Sequence, residues 1–290
     1  MSYDYKREAL YRPQSKPVFV NVDHMPRFQA DDVGFSLVNA WWLSNAAHLA
    51  YYDADPLERE LQKAGLRCVE FFSGKSTQAF LAAADSFAIL AFRGTESDKW
   101  VDFKADADFR LATFRDGAKV HRGFLEALDQ VWEKIDERLK DMAAQGLPVW
   151  YTGHSLGAAL ATLAAAREKP AALYAIGSSR VGNKEFVRLL DGVPVHRLVN
   201  CSDMAATVPP LSLDYRHVGE QDFITSAGKF LVNPSTLRVL WAKIVGACKY
   251  AAILPWFRRG VIKARSFADH SIVNYTSALD AAIARMPGRP

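Results

Sequence analysis

Gly153, Ser155 and Gly157 stand at alternate positions between an apolar run and a stretch of small residues. Pro148 to Tyr151 reads as a short buried strand, and Ala158 to Arg167 as a helix of strong helix formers. Strand, Gly-x-Ser-x-Gly, helix is the pattern of a nucleophile elbow, in which a sharp turn holds the serine hydroxyl clear at its tip. The glycines remove side chains that would strike the neighbouring strand and helix. The N-terminus of the helix brings partial positive charge to an oxyanion forming beside Ser155. With Gly near 7% of residues, the pentapeptide alone arises by chance in about one chain in ten of this length. The flanking strand and helix therefore carry much of the weight against an ordinary turn.

A serine nucleophile needs a base, an acid to orient the base, and donors for the oxyanion. Phe87 to Phe92 reads as a strand, and Thr95 follows it on a loop beside Gly94. A donor from such a loop fits Thr95, whose N–H would supply it; a polar turn is the competing reading. Asp203 lies in the loop after a strand over Pro194 to Val199, where a triad acid belongs. The base must follow it, since this architecture orders serine, acid, histidine. Of His217 and His270, the first sits in Tyr215 to Gly219, which reads as a strand, and suits a packed histidine. His270 opens a final helix and is the better candidate. His154 is expected to point away from Ser155, His24 and His48 precede the sheet, and no histidine spacing suits a metal.

The elements that must position these groups alternate along the chain. Residues 1–34 read as an irregular arm, with Pro13, Pro17 and Pro26. Phe35 to Tyr52 and Pro56 to Lys63 read as helices, and Cys68 to Phe72, Thr77 to Ala82 and Phe87 to Phe92 as strands. Residues 98–118 mix bulky apolar groups with charge, as a lid or a surface helix would. Leu125 to Ala144 has the period of one long amphipathic helix. Ala172 to Ile176 is a strand and Asn183 to Leu190 a helix. No Gly/Ser-rich or Pro-rich linker divides the chain, so its 290 residues read as one α/β domain over 35–290 behind the arm. Half the residues are apolar, enough for a large core. A net charge of +4 is too mild to argue for nucleic acid as a partner. Three scattered cysteines and a start without an apolar h-region point to the cytoplasm, with export without a classical signal peptide as the alternative.

With these pieces in order the chain resembles the class 3 (fungal-type) triacylglycerol lipases over about residues 35–283. The motifs are Phe92-Arg-Gly-Thr-Glu96, Val120-His-Arg-Gly-Phe124, Thr152-Gly-His-Ser-Leu-Gly-Ala158, Gly177-Ser-Ser-Arg-Val-Gly-Asn183, Val199-Asn-Cys-Ser-Asp203 with Val208-Pro-Pro210, Tyr215-Arg-His-Val-Gly219 and Asp269-His-Ser271. The resemblance implies an α/β-hydrolase fold with a mostly parallel central sheet flanked by helices, and a lid near Ser97 to Phe109. It implies Ser155 as nucleophile, Asp203 as acid, His270 as base, and the N–H groups of Thr95 and Leu156 as oxyanion donors. The implied activity is hydrolysis of a lipid ester with no metal or organic cofactor. A phospholipase A1, a feruloyl-type esterase and a non-catalytic lipid-binding relative are the alternatives. The family commonly has Pro where Ser178 or Ser179 stands, and its secreted fungal members carry signal peptides and disulfides, which this chain does not show. That departure favours an intracellular member.

One stretch is unlike the rest. No Asp or Glu occurs between Asp222 and Asp269, while Lys229, Arg238, Lys243, Lys249, Arg258, Arg259, Lys263 and Arg265 do. Apolar bulk, including Trp241 and Trp256, is interleaved. The segment is expected to form a helical cap inserted at about 223–265 between acid and histidine. A cap packed on the domain and peripheral contact with an anionic membrane through 229–265 are the two readings. Lys243, Lys249 and Pro255 interrupt it, which argues against a transmembrane helix.

Overall fold

The computed structural model describes residues 4, 10, 12–19, 25–95, 108–251 and 265–286. Helix α1 (Leu37–Leu49) is capped by Ser36, whose side chain accepts the Asn39 N–H, and α2 (Ala54–Lys63) follows. Three strands come next: β1 (Arg67–Ser73), β2 (Gln78–Ala83) and β3 (Ala88–Phe92). A small hairpin, β4 (Leu111–Thr113) and β5 (Lys119–His121), leads to α3 (Arg122–Asp129) and α4 (Trp132–Ala144). The elbow lies between β6 (Val149–His154) and α5 (Leu156–Arg167). After it come β7 (Leu173–Ile176), α6 (Lys184–Leu189), β8 (Val195–Asn200), β9 (Glu220–Ile224) and β10 (Phe230–Leu231). The chain closes with α7 (Thr236–Ala251), α8 (Arg265–His270) and α9 (Ile272–Ile283).

Eight strands form one sheet in the order β1-β2-β3-β6-β7-β8-β9-β10. The inner pairs from β3 to β9 are parallel and the outer pairs antiparallel. Both faces are covered, so the inner strands are apolar throughout rather than alternating with polar residues. In β3, Ala88, Leu90 and Phe92 face a core shared with α3, α4 and α5, while Ile89 and Ala91 face one shared with α1 and α9. Helix α1 lies between the sheet and α9, which is why almost every one of its side chains is buried.

The arm is not loose where it is described. Phe19 is buried among Trp41 and Trp42. Its N–H donates to Asn45 Oδ1 at 2.9 Å, and His48 Nε2 donates to the Pro13 carbonyl at 2.8 Å. Three expectations shift. The long helix over 125–144 is two, broken at Gln130 and Val131, where Gln130 Oε1 turns aside to accept the Ser76 N–H and Val131 is buried. Tyr215 to Gly219 is not a strand. It makes one bridge, Arg216 to Gly182, and β9 begins only after Gly219 has turned through φ +74° against Val195. His270 does not open the last helix; it closes α8, and Ser271 separates it from α9.

Of the expected lid, only Asp108 and Phe109 fall among the described residues. Of the expected cap, the β10 strand and α7 do, while Arg258, Arg259 and Lys263 lie outside them. Arg265 departs from the expectation of a basic group facing a membrane. It is buried, donating from Nε to Asp269 Oδ2 at 3.2 Å and from Nη1 to the Gly246 carbonyl at 2.5 Å.

Candidate active site

The parallel strands deliver the predicted residues to one edge of the sheet, at their C-terminal ends. Thr95 follows β3, Ser155 follows β6 and Asp203 follows β8. Ser155 has φ 58° and ψ −121°, a strained backbone for a side chain other than glycine. Its two glycines are sterically required. A Cβ on Gly153 would overlap the Gly157 backbone, and one on Gly157 would overlap the Phe92 carbonyl of β3. The alanine-rich α5 thus sits close behind the strand ends.

Ser155 Oγ lies 2.9 Å from His270 Nε2, and His270 Nδ1 lies 2.9 Å from Asp203 Oδ1. Asp203 also accepts the Ala205 N–H at 2.8 Å on Oδ1 and the Tyr275 hydroxyl at 2.6 Å on Oδ2. Burial pushes its carboxyl up, but His270, together with these hydrogen bonds, outweighs that and leaves it below the usual carboxylate range. An ionised Asp203 can only accept, so His270 Nδ1 carries the proton and Nε2 offers its lone pair to the serine hydroxyl. Burial drives the Tyr275 hydroxyl well above its ordinary value, so it stays a donor; its oxygen in turn accepts the Asn200 N–H at 2.8 Å. Gly177, at φ +57°, leaves room for this group, since a Cβ there would stand 2.8 Å from Asp203 Oδ2.

His154 points away from Ser155, as expected, and toward His270. Its Nε2 lies 2.6 Å from the His270 carbonyl, and its Nδ1 lies 2.8 Å from the Tyr51 hydroxyl. A carbonyl cannot donate, so Nε2 carries the proton and Tyr51 donates to Nδ1. Burial, reinforced by His270, lowers His154 to about 3, which keeps the ring neutral in this tautomer. The chain on the other side of His270 is tied too. Asp269 Oδ2 accepts the Ser202 N–H at 2.8 Å as well as Arg265. Sequence reading missed Tyr275, Tyr51, Asp269 and this use of His154. His217 is packed away, at 2.8 Å from the Ala206 carbonyl.

A cleft of about 550 Å³ opens beside the elbow, lined by Arg93, Gly94, Thr95, Phe124 and Leu156 among others. Gly94 passes so close to the Tyr51 hydroxyl and the His154 carbonyl that no Cβ fits, which sets Thr95 next to the elbow. Thr95 and Leu156 both line this cleft, and Leu156 is the first residue of α5. Ser155 does not line it and is 0% exposed. Among the described residues, no group of His, Cys, Asp and Glu is arranged to hold a metal ion.

Residues 89–213 match the family described as Lipase (class 3). A secreted mono- and diacylglycerol lipase A of Penicillium cyclopium is 31% identical over 245 residues, which is 74% of this chain and 79% of that protein. A lipase of Rhizomucor miehei is 30% identical over 222 residues, 70% of this chain and 54% of its own. A chloroplastic phospholipase A(1) of Arabidopsis thaliana is 38% identical over 123 residues, 37% and 27% of the two chains. Among solved structures, a mutant form of MDLA from Penicillium cyclopium superposes with a TM-score of 0.63 at 25% identity, over 82% of this chain and 96% of its own. A parallel sheet wrapped by helices, with a serine elbow at its C-terminal edge, defines an α/β-hydrolase. Within that class, the chain belongs to the class 3 lipase family. It is a carboxylic ester hydrolase.

Proposed function

We propose that this protein hydrolyses the ester bonds of acylglycerols, with Ser155, His270 and Asp203 as its catalytic triad. The observation that carries this reading is the hydrogen-bonded line from Ser155 Oγ through His270 to Asp203 at the end of a strained elbow. His270 Nε2 takes the serine proton as Oγ attacks the ester carbonyl. The oxyanion then lies between the N–H groups of Thr95 and Leu156, where one donor lowers the barrier by about 3–4 kcal/mol. The protonated His270, stabilised by Asp203, gives its proton to the leaving alcohol. Water, deprotonated by the same nitrogen, then attacks the acyl-enzyme and releases the acid. Tyr275 holds Asp203, and His154 holds the backbone of the base. A single catalytic unit over residues 35–290 fits this reading, since α1, α9 and the sheet share one core.

The acylglycerol substrate is supported by the Penicillium cyclopium relative, named for mono- and diacylglycerols. A phospholipid substrate has the support of the Arabidopsis relative, over a shorter stretch. Hydrolysis of p-nitrophenyl butyrate, diolein and phosphatidylcholine by wild type beside Ser155→Ala tests both. Loss of the nucleophile is expected to lower the rate on the order of 10⁶-fold. Equal rates in the two proteins would move the nucleophile elsewhere. Faster release of fatty acid from phosphatidylcholine than from diolein would favour the phospholipase.

The cytoplasmic location expected from the cysteines and the N-terminal sequence is not supported by the comparisons: the Penicillium relative is named as secreted. Among the described residues, no helix is long and apolar enough to cross a membrane. Assay of culture medium against cell extract decides the location.

A further inference from the structure

Helix α7 is amphipathic with its large apolar side chains facing the wrong way for a packed helix. Its inner face is small: Val239 and Ala242 rest on Val199, Cys201, Phe223 and Leu231, and a Cβ on Gly246 would stand 2.8 Å from Cys201 Sγ. Its outer face carries Leu237, Leu240, Trp241, Ile244 and Val245, all exposed, with Leu237 at 79% and Trp241 at 67%. At about 100° per residue these five fall within roughly 140° of the helix circumference. Arg238 and Lys249 flank that stripe on one side and Lys243 on the other. Among the described residues none forms an ion pair with these three cations.

We propose that α7 is a docking helix for an anionic lipid surface, with the Leu237–Trp241–Ile244 stripe seated among the acyl chains and Arg238, Lys243 and Lys249 at the headgroups. An exposed apolar stripe with Trp, bordered on both sides by cations, is the pattern of a helix that lies in a membrane interface. Charge selects among possible occupants. A second copy of this chain, paired through the same face, would set two rows of cations against each other, with no acid between residues 223 and 268 to compensate them. An anionic bilayer compensates all of them. The helix is also rooted next to the candidate site. Cys201 lies two residues before Asp203, and the Gly246 carbonyl accepts from Arg265, which pairs with Asp269 beside His270. Docking through α7 therefore brings the triad's edge of the sheet to the lipid.

Binding can be read without turnover, so its outcome is separate from that of the acylglycerol assay. The full chain carrying Ser155→Ala is sedimented with vesicles of phosphatidylcholine alone, or of phosphatidylcholine with phosphatidylglycerol. Strong binding to the anionic vesicles is expected. Arg238→Gln with Lys249→Gln should weaken it by about 25-fold, roughly fivefold for each cation. Leu240→Asn with Trp241→Asn should weaken it by more than about tenfold. Both pairs are surface changes, and circular dichroism and the denaturant midpoint report that each folds. Ser155→Ala protein that stays in the supernatant with both vesicles overturns the proposal. So does binding that survives loss of Leu240 and Trp241. A dimer that the same pair of substitutions returns to monomer, without vesicle binding, would assign the face to a second copy instead.

Discussion

Tyr275 reaches the proposed triad through one oxygen atom. It donates to Asp203 Oδ2 and accepts from the Asn200 backbone, so it fixes the carboxylate against the end of β8. Tyr275→Phe removes only that oxygen. A hydrogen bond to a charged group contributes about 1.5–3 kcal/mol, so kcat/KM for p-nitrophenyl butyrate is expected to fall about 10- to 100-fold with the fold intact by circular dichroism. Unchanged kcat/KM would show that Asp203 needs no second support. Ser155 and Asp203 were legible as candidates because each follows a recognisable strand; His270 was legible from the order of serine, acid and histidine, although the helix it was expected to open begins only at Ile272. Tyr275 left no such trace. Its hydroxyl meets a carboxylate 72 positions away only once α9 has packed beneath the end of β8. His154 was legible as a residue turned away from Ser155, but its partners, Tyr51 on one side and the His270 carbonyl on the other, come from opposite ends of the chain.

Among the elements, β6 and α5 were legible because each is a continuous run of one chemistry, buried strand residues and then alanines. The helix over 125–144 kept its apolar period across Gln130 and Val131, so nothing periodic marked the break there; the Ser76 backbone that draws Gln130 aside is remote in sequence. The prolines of the arm suggested an irregular segment; among its described residues, hydrogen bonds end on polar side chains inside α1. Asn45 is the clearest case, accepting from the Phe19 N–H and donating to the Trp41 carbonyl within the buried aromatic cluster. Asn45→Ala leaves a buried N–H unpaired and is expected to lower stability by about 1–3 kcal/mol, read as a lower denaturant midpoint at unchanged slope. A midpoint equal to that of wild type would mean that the arm contributes nothing to the core it covers.

At the scale of the whole molecule, the buried histidines set how the protein meets acid. Burial, the largest cause in every case, lowers His48 and His121 to about 4 and His154 and His217 to about 3. Each is held neutral in the folded chain while the unfolded chain takes up a proton below about 6.5. Their stabilisation is therefore present above that value and lost as the pH falls toward 4. Asp222 and Asp269, each raised by burial to about 6, act with the opposite sign, binding protons in the folded chain between about 4 and 6. Asp280, also raised by burial, acts with them, but the four histidines still outnumber these carboxyls near pH 5, and unfolding takes up protons net. The denaturation midpoint is expected to drop from pH 7 to pH 5; a midpoint that rises over this range would contradict the neutral histidines. Ser155 is completely buried. An ester therefore reaches the proposed nucleophile only after the groups that cover it have moved aside.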